Sequence, residues 1–176
     1  MTEIHRDTNA DRVVGLLPVT GETPEVLVLG SFPSRLSLEK NEYYGNPQNQ
    51  FWKIAEILFG IDHRLSYDDR IAGLTSARIA LWDTVFSCMR TGSADSTIRE
   101  PVPNDIPTFL ESHPSIRLVA LNGKAAGEFL NRAGNTIPSR IQVIILPSTS
   151  PANARMSLIE KARQWSVIRT GPVKKG

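Results

Sequence analysis

The chain has 176 residues, 40% hydrophobic and 22% charged, enough to close one core without a disulfide or metal staple. Its one cysteine, Cys88, excludes an internal disulfide and a thiolate-held zinc or iron–sulfur centre, and His5, His63 and His113 lack metal-ligand spacing. The net charge of +2 is compatible with a nucleic-acid partner without requiring one. The N-terminus has no apolar signal region, and no apolar run approaches the roughly 18 residues of a membrane span. A cytoplasmic monomer without metal, cofactor or membrane partner is expected.

Residues 1–24 read as an irregular leader broken by Pro18, Gly21 and Pro24. Val26 to Leu29 is a continuous apolar run ending at Gly30, the pattern of a strand buried on both faces. Residues 31–48 read as a long loop, and its aromatics, Phe32, Tyr43 and Tyr44, argue against disorder. Asn49 to Phe59 has a broad apolar helical face, with Gly60 as its stop. A short helix is expected over 67–77, then a second strand, Ile79 to Trp82, ending at Asp83.

The polar stretch RTGSADSTIREPVPND reads as loop. Ile106 to Ser112 is expected as helix and Leu118 to Leu121 as a third strand, ending at Asn122-Gly123. Lys124 to Arg132 is a helix closed near Gly134, and Val143 to Leu146 a fourth strand ending at Pro147. A last helix is expected over 152–169 with Trp165 and Ile168 on its apolar side, then a frayed basic tail, 171–176. Four short apolar strands alternating with helices predict one α/β domain: a central four-stranded parallel sheet flanked by helices on both faces. In such sheets ligands lie outside the carboxyl ends of the strands. Those ends read GSFPS, WDTV, NGK and PSTSPAN, all polar or rich in Gly and Pro, so the site is expected at that edge.

The segment Gly30 to Trp52, GSFPSRLSLEKNEYYGNPQNQFW, resembles the first motif region of uracil-DNA glycosylases, and Leu146 to Asn153, LPSTSPAN, resembles their last. With ALWDTV, GSADSTI and LNGKAAGEF, the set is most similar to the hypoxanthine-DNA glycosylase branch, family six of that superfamily. The resemblance runs from about residue 25 to 168 and rests on the order and spacing of the segments. It implies a three-layer sandwich and a monofunctional, cofactor-free enzyme of base-excision repair that hydrolyses the N-glycosidic bond of a deaminated deoxynucleotide in DNA. A glycosidic carbon inside a stacked duplex is unreachable, so the base must be flipped into the site.

The resemblance also implies roles. Most of the superfamily carries a water-orienting Asp or Asn in the first motif. Here Phe32 stands in that place, and in this branch the role passes to the Asn of YYGxPxN, which is Asn49. An Asn accepts from water and donates at once but is no strong base; read on its own, Asn49 is an N-cap for the helix that follows. Where related chains carry His, this one has Asn46. Tyr44 is expected to stack on the flipped base, with Phe32 as a second pocket wall; alternatively Tyr43 and Tyr44 pack the loop. Asp83 stands where the uracil enzymes place a base-reading Asn. A carboxylate there would accept from hypoxanthine N1–H and refuse adenine, which lacks that proton. Asp95, in the Ser93–Ser96 cluster, is the other candidate reader, against turn-capping and solvated-loop readings.

The stretch Ser148, Thr149, Ser150, Pro151, Ala152, Asn153 is expected to open a helix and pinch the DNA backbone, with Ala152, Asn153, Arg155 and Met156 as the wedge. Read structurally, Ser150 is an N-cap with Pro151 at the first helical position. Ser31, Asn122 and Lys124 are further expected DNA contacts. The alternatives are a mismatch-type uracil-DNA glycosylase and a non-cutting damaged-DNA-binding module. Walker and Rossmann glycine patterns and a G-x-S-x-G elbow do not occur.

Overall fold

The computed structural model describes residues 11–169. Four strands, β2 (Val26–Gly30), β3 (Ile79–Asp83), β6 (Leu118–Asn122) and β7 (Gln142–Leu146), form a parallel sheet in the order β3-β2-β6-β7. The period-two alternation of strand side chains divides the core between the two faces. On one face, Val26, Val28, Ile79, Leu81, Leu118 and Ala120 meet α2 (Phe51–Phe59), α3 (Tyr67–Ser76) and α6 (Leu158–Trp165). On the other, Leu27, Leu29, Ala80, Val119 and Leu121 meet α4 (Ile106–Ser112) and α5 (Lys124–Arg132). The expected three-layer α/β sandwich is therefore present, with Trp165 and Ile168 buried on α6 and the turn after it as foreseen. No helix among the described residues is long and apolar enough to cross a membrane.

The chain order places the site. β3 lies on one side of β2 and the later β6 on the other, so the chain switches sides at β2. Loops leaving adjacent strands part there, opening a crevice at the carboxyl ends. Thr84 N–H donates to Gly30 C=O (2.9 Å) and Val85 N–H to Ser31 C=O (3.1 Å), which lays the GSFPS and WDTV turns side by side.

Several expectations need correction. The leader is not wholly irregular: β1 (Arg12–Val14) pairs antiparallel with β4 (Val85–Met89), and Val19 bridges Leu81. The polar stretch after Met89 is not wholly loop, because β5 (Arg99–Pro103) pairs antiparallel with β4, completing a second, three-stranded sheet. β5 is exposed at every position and carries prolines, which suit an edge strand and hide it from pattern reading. The 31–48 loop contains α1 (Arg35–Lys40), started by Ser34, whose side chain accepts from Ser37 N–H, and stopped by Asn41 in the left-handed region. The last helix begins at Leu158 rather than at 152. Ser157 and Glu160 form a reciprocal capping box there, and residues 148–157 are loop and turns. The expected tail, 171–176, lies outside the described residues.

Candidate functional site

A cleft of about 360 Å³ opens at the carboxyl ends of the parallel strands. Gly30, Asp83 and Asn122 from the strand ends line it with Tyr44. Ser31 and Phe32, Asn46 and Asn49, Ser93 to Ser96, and Ser148 to Ala152 also line it. It thus gathers Ser31, Phe32, Tyr44, Asn49, Asp83, Asp95, Asn122, Ser148, Thr149 and Ser150 of the expected residues. Lys124, Asn153 and Arg155 do not line it.

Asp83 is 4% exposed, and no donor among the described residues reaches its Oδ2. Its main chain is fixed, since Asn104 Nδ2 donates to its C=O at 2.8 Å. Burial, then the nearby Asp95, pushes its pKa up to about 7, with Arg90 opposing. Asp95 is held by Ser31, whose hydroxyl donates to Oδ1 at 2.5 Å. Burial raises the Asp95 pKa as well, against the Ser31 bond and Arg90.

Tyr44 sits in the left-handed region, φ 54°, a strained conformation for an aromatic residue. Its loop over-determines it. Tyr43 N–H donates to Tyr67 Oη, Trp52 Nε1 donates to Tyr43 C=O, and Gly45 N–H donates to Ser37 Oγ, each at 3.0 Å. One face of the Tyr44 ring stacks on Phe51, with centroids 4.2 Å apart and planes at 26°. Phe51 therefore occupies one of the two ring faces that a base could use. Tyr43 is core, its hydroxyl donating to Leu17 C=O at 2.8 Å. Phe32 is mostly buried with Val85, Cys88 and Ile98, and the Arg90 guanidinium lies 4.8 Å from its ring centroid.

The α2 helix starts one residue later than a cap at Asn49 requires. Gln50 holds the cap position without a side-chain bond, while Asn49 Oδ1 accepts from Phe51 N–H at 3.0 Å. That bond uses one lone pair of Oδ1 and leaves the second, with the Nδ2 donors, for the cleft that Asn49 lines. Asn46 Oδ1 likewise accepts from Gln48 N–H at 3.0 Å.

The loop after β7 is built differently from the expected helix start. Asn122 grips Thr149 twice: Nδ2 donates to Oγ1, and Oδ1 accepts from Thr149 N–H, both at 2.9 Å. Thr149 is fully buried and accepts from Gln50 N–H through its carbonyl. Asn122 and Thr149 therefore tie the end of β6 to the loop after β7 and shape the cleft wall. Ser150 does not cap a helix; its Oγ accepts from Ala152 N–H in a turn. The Asn153 amide donates to Ser148 C=O at 3.1 Å, so that side chain braces the loop. Ala152 and Arg155 are exposed at its tip, Met156 is half-buried, and Lys124 is exposed at the start of α5.

Three contributors escaped sequence reading. Arg90 is 8% exposed, and its Nη2 donates to Pro33 C=O at 2.6 Å. Lys161 is 2% exposed and donates to Gln50 Oε1 (2.7 Å) and Asn153 C=O (2.8 Å), joining α6 to both cleft loops. Each reads in sequence as an ordinary solvated cation. Gly30 is the third: a Cβ there would fall against Asp83 Oδ1. Away from the cleft, Glu56, Asp62 and His63 bring donor atoms within 4.8 Å of one another. They are already engaged, His63 with Glu56 and Asp62 with Arg64.

Known proteins share this sequence and architecture. The sequence model of the Uracil DNA glycosylase superfamily matches residues 17–169. A Hypoxanthine DNA glycosylase of Methanosarcina acetivorans is 35% identical over 158 residues, covering 88% of this chain and 96% of the relative. One of Methanosarcina barkeri is 34% identical over 156 residues, covering 86% and 94%. The solution NMR structure of a candidate uracil DNA glycosylase from M. acetivorans superposes with TM-score 0.76 at 35% identity, covering 90% of this chain and 98% of that one.

Proposed function

This chain belongs to the uracil DNA glycosylase superfamily, and we propose that within it the protein excises hypoxanthine from DNA by hydrolysis of the N-glycosidic bond. The observation that carries this reading is the buried Asp83 carboxylate, with Oδ2 unpartnered, in a strand-end cleft. Relatives of similar length named Hypoxanthine DNA glycosylase support it.

The base leaves with the electron pair of its bond to C1′, and water then adds to C1′ and gives up a proton, which neutralises the departing base. Asn49 holds that water: the free lone pair of Oδ1 accepts one water hydrogen while Nδ2 donates to a sugar or phosphate oxygen. Because an amide is a weak base, bond breaking must run ahead of water attack. Asp83, ionised, accepts from N1–H of hypoxanthine. Adenine would bring an unprotonated N1 against it, an acceptor facing an acceptor. Ser148, Ser150 and the exposed 152–155 tip, with Ser31 and Lys124, lie around the site for backbone contact. Uracil carries the same adjacent N–H and C=O, so it is the second base to test.

The test is release of free base from duplexes carrying one deoxyinosine or one deoxyuridine, read as alkali-sensitive strand breaks with EDTA present. Hypoxanthine release supports the assignment. Release of uracil alone moves the protein to another branch, and binding without release makes it a damage-recognition module.

A further inference from the structure

At the cleft two buried polar atoms lack hydrogen-bond partners. They are Asp83 Oδ2 and the Tyr44 hydroxyl. Native proteins satisfy nearly all such atoms, so two together call for an explanation. Gly30 shows how close the two side chains come. A Cβ on Gly30 would touch Asp83 Oδ1 and lie 3.6 Å from Tyr44 Oη. Glycine therefore keeps open the space over which a carboxylate and a phenol converge.

The Tyr44 ring cannot easily turn away. Its face is stacked on Phe51, and its backbone is held at positive φ by the loop bonds described above. The hydroxyl is thus held, at a cost in backbone strain, on the Gly30 side of the cleft that Asp83 also borders. Burial, then the Asp83 charge, raises its pKa, and the hydrogen-bonding influence of the neighbouring Asn122 side chain lowers it, so the phenol stays protonated and remains a donor.

We propose that Tyr44 reads the base through its hydroxyl, donating to the carbonyl oxygen of a lactam while the Asp83 carboxylate accepts from the adjacent ring N–H. This deepens the reading of the cleft as a base pocket and rests on it. The ligand class is any flat base with a C=O beside a ring N–H: hypoxanthine, xanthine and uracil, and also guanine and thymine, so this pair of contacts separates lactam from amidine bases and other parts of the cleft must refuse the normal lactams. Amidine bases, adenine and cytosine, present the reverse order: their unprotonated ring nitrogen faces the Asp83 carboxylate, and the Tyr44 hydroxyl can only turn to accept from their amino group.

The test removes each half of the Tyr44 contact separately. Binding is measured to duplexes with an uncleavable 2′-fluoroarabino nucleotide carrying hypoxanthine, or purine, which lacks O6 and with it the N1–H. The native protein and Tyr44→Phe are compared. The phenylalanine keeps the stack on Phe51, and thermal melts check its fold. The native protein should prefer hypoxanthine over purine by about 10- to 100-fold. In Tyr44→Phe that preference should shrink by about tenfold, the part that remains coming from N1–H on Asp83, with purine binding unchanged. A preference undiminished in Tyr44→Phe, equal weakening of both duplexes, or no preference in the native protein would overturn the proposal. Native protein that releases no hypoxanthine from ordinary deoxyinosine would instead overturn the function on which it rests.

Discussion

Replacing Asp83 by asparagine should stabilise the protein while damaging its activity, and the stabilisation should depend on pH. Burial and Asp95 lift the carboxyl from 3.8 to about 7 in the folded chain. Such a lift corresponds to about 4 kcal/mol against the ionised form. A carboxyl whose folded pKa exceeds its unfolded one supports folding fully at pH below the unfolded value. It loses that support as pH rises through the folded value. The native protein should therefore lose up to about 4 kcal/mol from this group between about pH 4 and pH 8. The asparagine side chain cannot ionise and keeps the same shape. Asp83→Asn should be near neutral at about pH 4 and more stable than the native chain at about pH 8. The gain there has an upper limit of roughly 8–16 °C in Tm for a domain of this size. Urea or thermal melts across that range measure it, and deoxyinosine excision should fall by at least about tenfold at neutral pH. A pH-independent difference, or a less stable variant at high pH, would refute the assignment of a buried, uncompensated carboxylate.

Other perturbations separate site from scaffold. Gly30→Ala should push the Asp83 carboxylate aside and reduce excision more than stability, the stability cost being about 1–3 kcal/mol by melts. Lys161→Met should leave Gln50 Oε1 and Asn153 C=O unpaired, costing about 1–3 kcal/mol and raising amide hydrogen exchange in residues 148–153. Ser157→Ala should cost about 1 kcal/mol through the lost cap of α6 while single-turnover excision stays unchanged.

What was legible followed from burial. The runs Val26–Leu29, Ile79–Trp82 and Leu118–Leu121 read as strands because both faces of their sheet are covered, and each ends at a residue that borders the cleft. β1 and β5 were not legible, because their residues are largely exposed and Pro101 and Pro103 argue against a strand unless an edge is known. α1 has only six residues, too few for a helical period to show. For the last helix two start signals competed. Ser150-Pro151 imitates a cap followed by a first-turn proline, but residues 151–156 offer little apolar surface to bury. Ser157 with Glu160 carries the true start. The cleft residues were found through strand ends and motif order. Their partners were not, because Arg90, Lys161 and Gly30 act through contacts far away in sequence: Pro33, Gln50 and Asp83.

The central claim is that Asn49 orients the attacking water for hypoxanthine release at this cleft. Its most direct test is the single-turnover rate on a deoxyinosine duplex for the native protein and Asn49→Ala, with duplex binding measured in parallel. The account predicts a native enzyme that releases hypoxanthine and a variant slowed by about 100-fold or more that still binds the duplex. A variant that releases hypoxanthine at the native rate would contradict it.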